Sequence, residues 1–185
     1  MPIIALKDNP PSQLHKKPIL ETVGTWWIAK VKPQQEKAFA FDLIEREIEY
    51  YLPFCTKFSK RSDGKLRKSI LVLFPSYVPI MIENPYTLLN TNRIVTFLPV
   101  ESQRKFIVQL NNVWIANNAG MDINPVHGSF QIGEFVKIIS GPMNGTLGHV
   151  IKNQGTTSIL LRVDGLGCVN VSVNLSQIRK DVICL

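Results

Sequence analysis

The chain has 185 residues, 45% hydrophobic and 19% charged, with a net charge of +7 and a pI near 9.4. That length suits one ordinary domain or two small ones. No apolar run reaches the roughly 18 to 20 residues of a membrane span, and the opening MPIIALKDNPPSQLHKK is too briefly apolar, and too soon broken by proline, for a signal peptide, so a soluble, cytoplasmic protein with no membrane partner is expected.

Residues 1–23 carry several prolines and lysines without periodicity and read as a flexible tail. TWWIAKVK, Thr25 to Lys32, alternates and is rich in β-formers, so it reads as a strand. Pro33 stops it and suits a helix entrance. From Gln34 to about Ile48 the apolar residues Ala40, Leu43, Ile44 and Ile48 recur at helical spacing, with Phe41 widening the stripe. EYYLPF reads as a second strand. Six basic residues follow against one acid, Asp63: Lys57, Lys60, Arg61, Lys65, Arg67 and Lys68. SDG is turn chemistry, so this is a hairpin, either a solvated one or one reaching toward nucleic-acid backbone.

SILVLF and YVPIMI read as strand on both sides of Pro75 and Ser76, and RIVTFLPV as another strand. Ser102 can cap a helix running to about Asn118. Its stripe of Phe106, Ile107, Leu110, Val113 and Trp114 reads as core. NNAGMDINPVHGS has no pattern and several breakers, and reads as a linker at 119–129. From Phe130 the texture changes to short β runs (FVKII, LGHVI, SILLRV and VNVSV) between glycine-bearing turns, as in a small barrel. The expected fold class is α+β: an antiparallel sheet flanked by helices over 24–118, then a small SH3-like β-barrel over 130–182.

Chemistry-bearing motifs are scarce. His15, His127 and His149 fall in the tail, the linker and a barrel strand, none with a carboxylate or cysteine at a helpful helical spacing. There is no GxGxxG, P-loop or HExxH. Cys55, Cys168 and Cys184 are odd in number and widely spaced, which fits plain thiols rather than a disulfide framework or a zinc site. No catalytic activity, metal or cofactor is expected.

GEFVKIISGPMNGTLGHVIK places Gly133, Gly141, Gly145 and Gly148 around two apolar strands, with Lys152 after Val150. This resembles the KOW motif. Upstream, Trp26-Trp27, a mixed-charge helix around Glu36 to Glu49, Tyr51-Leu52-Pro53, the basic hairpin and Phe74-Pro75-Ser76-Tyr77-Val78 follow in the order of the N-terminal domain of the NusG transcription elongation factors. Together the two resemblances cover Gly24 to Lys180. They imply a transcription elongation and antitermination factor whose first domain binds RNA polymerase. That domain seats on the clamp helices of the β′ subunit and can touch the gate loop of β. The KOW domain recruits the termination factor Rho, or the ribosome through the small-subunit protein NusE.

Carried over, Trp27, Phe74, Pro75 and Tyr77 form the apolar polymerase surface. Thr87, Asn90 and Thr91 lie where a gate-loop contact would fall. Lys60, Arg61, Lys65, Arg67 and Lys68 face DNA or RNA. Met143, Thr146 and Leu166 fall in the turns that meet the KOW partner, with Leu166 alternatively folded back into its turn. The family usually has glycine where Ser76 stands, so any positive-φ requirement there is expected to be relaxed. Pro79 suggests an edge or a bulge. These departures, and the long N-terminal segment, point to a specialised paralogue similar to RfaH or UpxY. An RNA-binding or ribosome-associated KOW protein is the alternative, which would explain the barrel and the charge but not the upstream motifs. The Val-, Ile- and Thr-rich barrel segment argues for a constitutive β fold that leaves Phe74 and Tyr77 uncovered.

Overall fold

The computed structural model describes residues 9–60, 62, 64–126, 133, 135–153, 156–173 and 175–180. The first half runs β1 (Trp26–Val31), α1 (Glu36–Glu45), β2 (Glu49–Tyr50), β3 (Phe54–Lys60), β4 (Leu66–Val72), β5 (Tyr77–Met81), a 3₁₀ turn (Pro85–Thr91), β6 (Ile94–Pro99) and α2 (Gln103–Asn118). β2, β5, β1 and β6 form one antiparallel sheet in that spatial order. Its two faces are both covered, because alternate residues of each strand point to opposite sides. Ala29, Val31, Val78 and Ile80 pack with Phe39, Ala40 and Leu43 of α1. Trp26 and Ile28 pack with Phe106, Leu110 and Val113 of α2.

The α2 stripe is core, as the spacing predicts, and Ser102 is the N-cap, its side chain accepting from Lys105 N–H. α1 ends three residues earlier than Ile48. Glu47 turns left-handed (φ 54°), and the Ile48 N–H donates back to Leu43 O at 2.9 Å, which closes the helix in the manner of a Schellman motif. Phe39, outside the expected stripe, is fully buried, while Phe41 is only partly so.

Pro79 lies inside an interior strand, not at an edge. Its carbonyl accepts from Tyr51 N–H at 3.0 Å, so its backbone polar side faces β2. β2 ends at Tyr50, opposite Ile80, and the missing proline N–H falls where that ladder stops.

The described part of the N-terminal segment is packed rather than free. Leu52 N–H donates to Ser12 O, Tyr50 OH to Pro11 O, and Trp114 Nε1 to Gln13 Oε1, each at 2.6 Å. Ile19 is buried in the α2-side core. These contacts satisfy the short β2 region, which has few partners of its own. Residues 1–8 lie outside the described residues.

The second half forms one antiparallel sheet from β7 (Ile123–Pro125), β8 (Phe135–Ile138), β9 (Leu147–Asn153), β10 (Thr156–Val163), β11 (Gly167–Ser172) and β12 (Ile178–Lys180), in the order β12-β8-β9-β10-β11-β7. This is consistent with the small barrel expected. β7 lies within the stretch read as a linker; it pairs with β11. His127 to Ser129 of that stretch, and Phe130, lie outside the described residues. No helix among the described residues is long and apolar enough to cross a membrane.

Candidate functional site

Phe74, Pro75, Ser76 and Tyr77 make a tight turn between β4 and β5. Tyr77 N–H donates to Phe74 O at 3.1 Å, and Ser76 has φ 67°. Proline second, a positive-φ residue third and a bond from the fourth residue to the first are the marks of a type II turn. The positive-φ requirement is therefore present at Ser76, contrary to the sequence expectation. Two bonds hold it there: Ser76 N–H donates to Glu36 Oε1 at 2.7 Å, and Ser76 O accepts from Val31 N–H at 2.8 Å.

Phe74 is 3% exposed and lies in the same core as Tyr51, Cys55 and Ile123. It is a core residue in this state, and it supports the turn from below. Tyr77 is half-buried, with Lys30 Nζ 6.0 Å from its ring centroid. Pro75 is exposed. Trp27 does not join them. It pairs with Ile80, whereas Tyr77 pairs with Lys30, so the two aromatics lie on opposite faces of the sheet. Trp27 packs on the α1 side; Tyr77 shares its face with Trp26, Ile28 and Lys30.

The C-terminal sheet packs against that same face. Lys105 Nζ lies 2.7 Å from Asp164 Oδ2, and Arg162 Nε 3.3 Å from Asp164 Oδ1. Asp164 N–H donates to Gln109 Oε1 at 3.0 Å. The hydrogen bond from Lys105 is the main reason the Asp164 carboxyl is held below its ordinary 3.8. A cleft of about 540 Å³ remains at the seam, between Ile28, Leu98 and Phe106 on one side and Arg162 and Asp164 on the other. The second sheet is thus docked on α2 and Ile28, while Tyr77 stays half-buried and Pro75 exposed. α2 and β7 are separated by only residues 119–122, which draws the second sheet against α2.

β3 and β4 form a separate two-stranded ribbon. Phe58 pairs with Lys68, Ser59 with Arg67 and Lys60 with Leu66. Lys60 and Lys68 thus share one face with Phe58, and Lys57 and Arg67 share the other. Lys57, Lys60, Lys65, Arg67 and Lys68 are exposed, as are Phe58 at 65% and Leu66 at 69%. Arg61 and Asp63 lie outside the described residues. Cys55, at the base of the ribbon, is buried, and burial pushes its thiol pKa up, which fits an inert thiol. Cys184 lies outside the described residues.

Residues 24–115, which hold β1, the turn, the ribbon and most of α2, match the family described as transcription termination factor NusG. Residues 24–115 form a NusG-family domain. No curated protein matches. Among solved structures, Thermotoga maritima NusG, described for its domain interaction, is 20% identical with a TM-score of 0.46, covering 85% of this chain and 97% of that one. The MjSpt4:Spt5 complex in conformation B is 14% identical with a TM-score of 0.28, covering 84% and 95%.

Around this NusG-family domain, the remaining sequence-derived positions make contacts within the chain. Thr87 Oγ1 donates to Asn84 O at 3.0 Å, Thr91 Oγ1 to Leu88 O at 2.9 Å, and Asn90 Oδ1 accepts from Arg46 at 3.0 Å. Thr87 and Asn90 remain exposed. Met143, Thr146 and Leu166 are all buried, at 1%, 7% and 8%. Leu166 packs with Val163 and Val169 in the core that also holds Met143. Sequence reasoning missed Glu36, Lys30 and Ile28. A lone helix glutamate and alternating strand residues carry no signal until the strands are registered.

Proposed function

We propose that this protein is a transcription elongation and antitermination factor that binds the β′ clamp of RNA polymerase, with β as a second contact. Family membership supports the elongation role. The observation that supports the site is the Phe74–Tyr77 turn, held left-handed at Ser76 and setting Tyr77 beside Lys30 and Ile28 on one sheet face. Large aromatics give contact area at low entropic cost and recur at interface hot spots. The exposed ribbon carries a basic strip toward DNA or RNA. The C-terminal sheet serves as a KOW domain that recruits Rho or the ribosome through NusE, once turn residues such as Met143 and Leu166 are released.

A tagged full-length protein should recover β and β′ from its own cells, and Tyr77→Ala should lose them while remaining folded. Recovery of ribosomes without polymerase would overturn this reading in favour of the ribosome-associated alternative.

A further inference from the structure

We propose that Glu36 is the positioning residue for the Phe74–Tyr77 turn, an inference that rests on reading that turn as polymerase-facing. Glu36 is the first residue of α1 and is only 7% exposed. An acid in a helix's first turn is favoured by the helix dipole, but that does not account for its burial. A buried carboxylate is costly unless hydrogen bonds replace its water. Here Glu36 Oε1 accepts the Ser76 N–H at 2.7 Å. A charge-assisted bond of this kind is stronger than a neutral one.

Ser76 is the residue of the turn that needs holding. Its φ of 67° is unfavourable for a residue with a Cβ. Its carbonyl is taken by Val31 of β1 at 2.8 Å, so β1 and α1 grip the two polar groups of one residue. Rotation about Ser76 sets the direction in which Tyr77 enters β5. With Glu36 gone, the N–H loses its partner and the left-handed state loses one of its two restraints. Glycine at this position needs no such restraint. The structure thus links three elements, α1, β1 and the turn, through one carboxylate. That link explains how serine can stand where the turn demands positive φ.

The test uses the full-length protein with Glu36→Ala, Glu36→Gln, Ser76→Gly, and Glu36→Ala combined with Ser76→Gly. Two quantities are read: hydrogen exchange at the Ser76 amide and affinity for core RNA polymerase. Glu36→Ala should speed exchange at Ser76 at least tenfold and weaken polymerase binding about tenfold, which is about 1.4 kcal/mol. Glu36→Gln, which keeps an acceptor, should recover most of both. In the Ser76→Gly background the loss of affinity from Glu36→Ala should shrink to less than about threefold, a coupling that a purely general loss of stability would not produce.

Unchanged Ser76 exchange in Glu36→Ala overturns the assignment. If Glu36→Ala alone does not fold, the double variant decides: folded and near wild-type affinity supports the assignment, and unfolded overturns it. Faster exchange with unchanged polymerase affinity overturns the link to binding. Tyr77→Ala then shows which reading failed. If it still weakens binding, the polymerase reading stands and Glu36 does not serve it. If it too is neutral, the polymerase reading itself has failed.

Discussion

Gly165, in the turn between β10 and β11, lies against Ile28 of β1 so closely that an added Cβ would sit 2.5 Å from Ile28 Cδ1. This contact joins the C-terminal sheet to the sheet face that carries Tyr77. An added Cβ would press on the far end of the Ile28 side chain, which would have to shift to admit it.

Gly165→Ala should therefore loosen the two halves. Gly165 has φ +79°, and Gly120 has φ +67° with nothing within 4 Å of its added Cβ. Gly120→Ala should cost about 1 to 2 kcal/mol from backbone strain alone. Gly165→Ala should cost a further 1 to 3 kcal/mol from the clash. Thermal unfolding compares the two, and small-angle scattering reports separation of the halves. Equal losses would show that Ile28 yields at no cost.

The Lys105–Asp164 pair should make docking depend on pH and salt. The Asp164 carboxyl is held below its ordinary 3.8 in the folded protein, chiefly by Lys105. A depressed carboxyl contributes stability above its unfolded value, and that contribution is lost as pH falls through the folded value. The docked form should thus be unaffected between pH 5 and pH 8 and weaken below about pH 4. The Asp164 side chain is 39% exposed, so the effect should stay under about 1 kcal/mol. Asp164→Asn should abolish this acid dependence; scattering or chemical shifts against pH would show it.

Phe74 and Tyr77 should separate into a core role and a contact role. Phe74→Ala opens a cavity in the core and should cost about 3 to 5 kcal/mol of stability. Tyr77→Ala should leave the fold largely intact and weaken polymerase binding by about 2 kcal/mol, roughly thirtyfold. Denaturant unfolding and polymerase titration on both variants check this. A Tyr77→Ala protein with normal affinity would contradict the contact role.

The ribbon should act through charge. Lys60→Glu with Lys68→Glu reverses two cations on the Phe58 face, and Lys57→Glu with Arg67→Glu reverses two on the other. Each pair should change stability little, since surface substitutions stay within about 0.5 kcal/mol. Reversing Lys65, Arg67 and Lys68 should weaken binding to a nucleic-acid-loaded elongation complex and spare an isolated clamp-helix fragment. The slope of log affinity against log salt should become shallower by about 0.7 to 0.9 for each phosphate the ribbon no longer neutralises. Equal losses on both targets would assign the ribbon to protein binding instead.

Much of the fold is legible in the sequence alone. β1 and β6 follow from runs of β-formers, α2 from its apolar stripe and Ser102, and the ribbon from SDG between strand-like runs. These features are local. Periodicity reports which side of an element is apolar, and capping and turn residues act within a few positions. The family order of motifs was legible for the same reason, since each motif is a short contiguous string.

The site itself was decided by contacts between residues far apart in the chain. Local chemistry argues against a left-handed serine, and only the Glu36 carboxylate and the Val31 N–H, each about forty residues away, make Ser76 one. Alternation alone separates Trp26 from Trp27, but only the register of Lys30 with Tyr77 shows which tryptophan shares the tyrosine's face. The burial of Phe74, the packing of the N-terminal segment and the seam at Gly165 likewise depend on which apolar surfaces find each other. Sequence periodicity exposes an apolar face, but its partner is chosen by the free energy of the whole packed molecule, which no window of neighbouring residues contains.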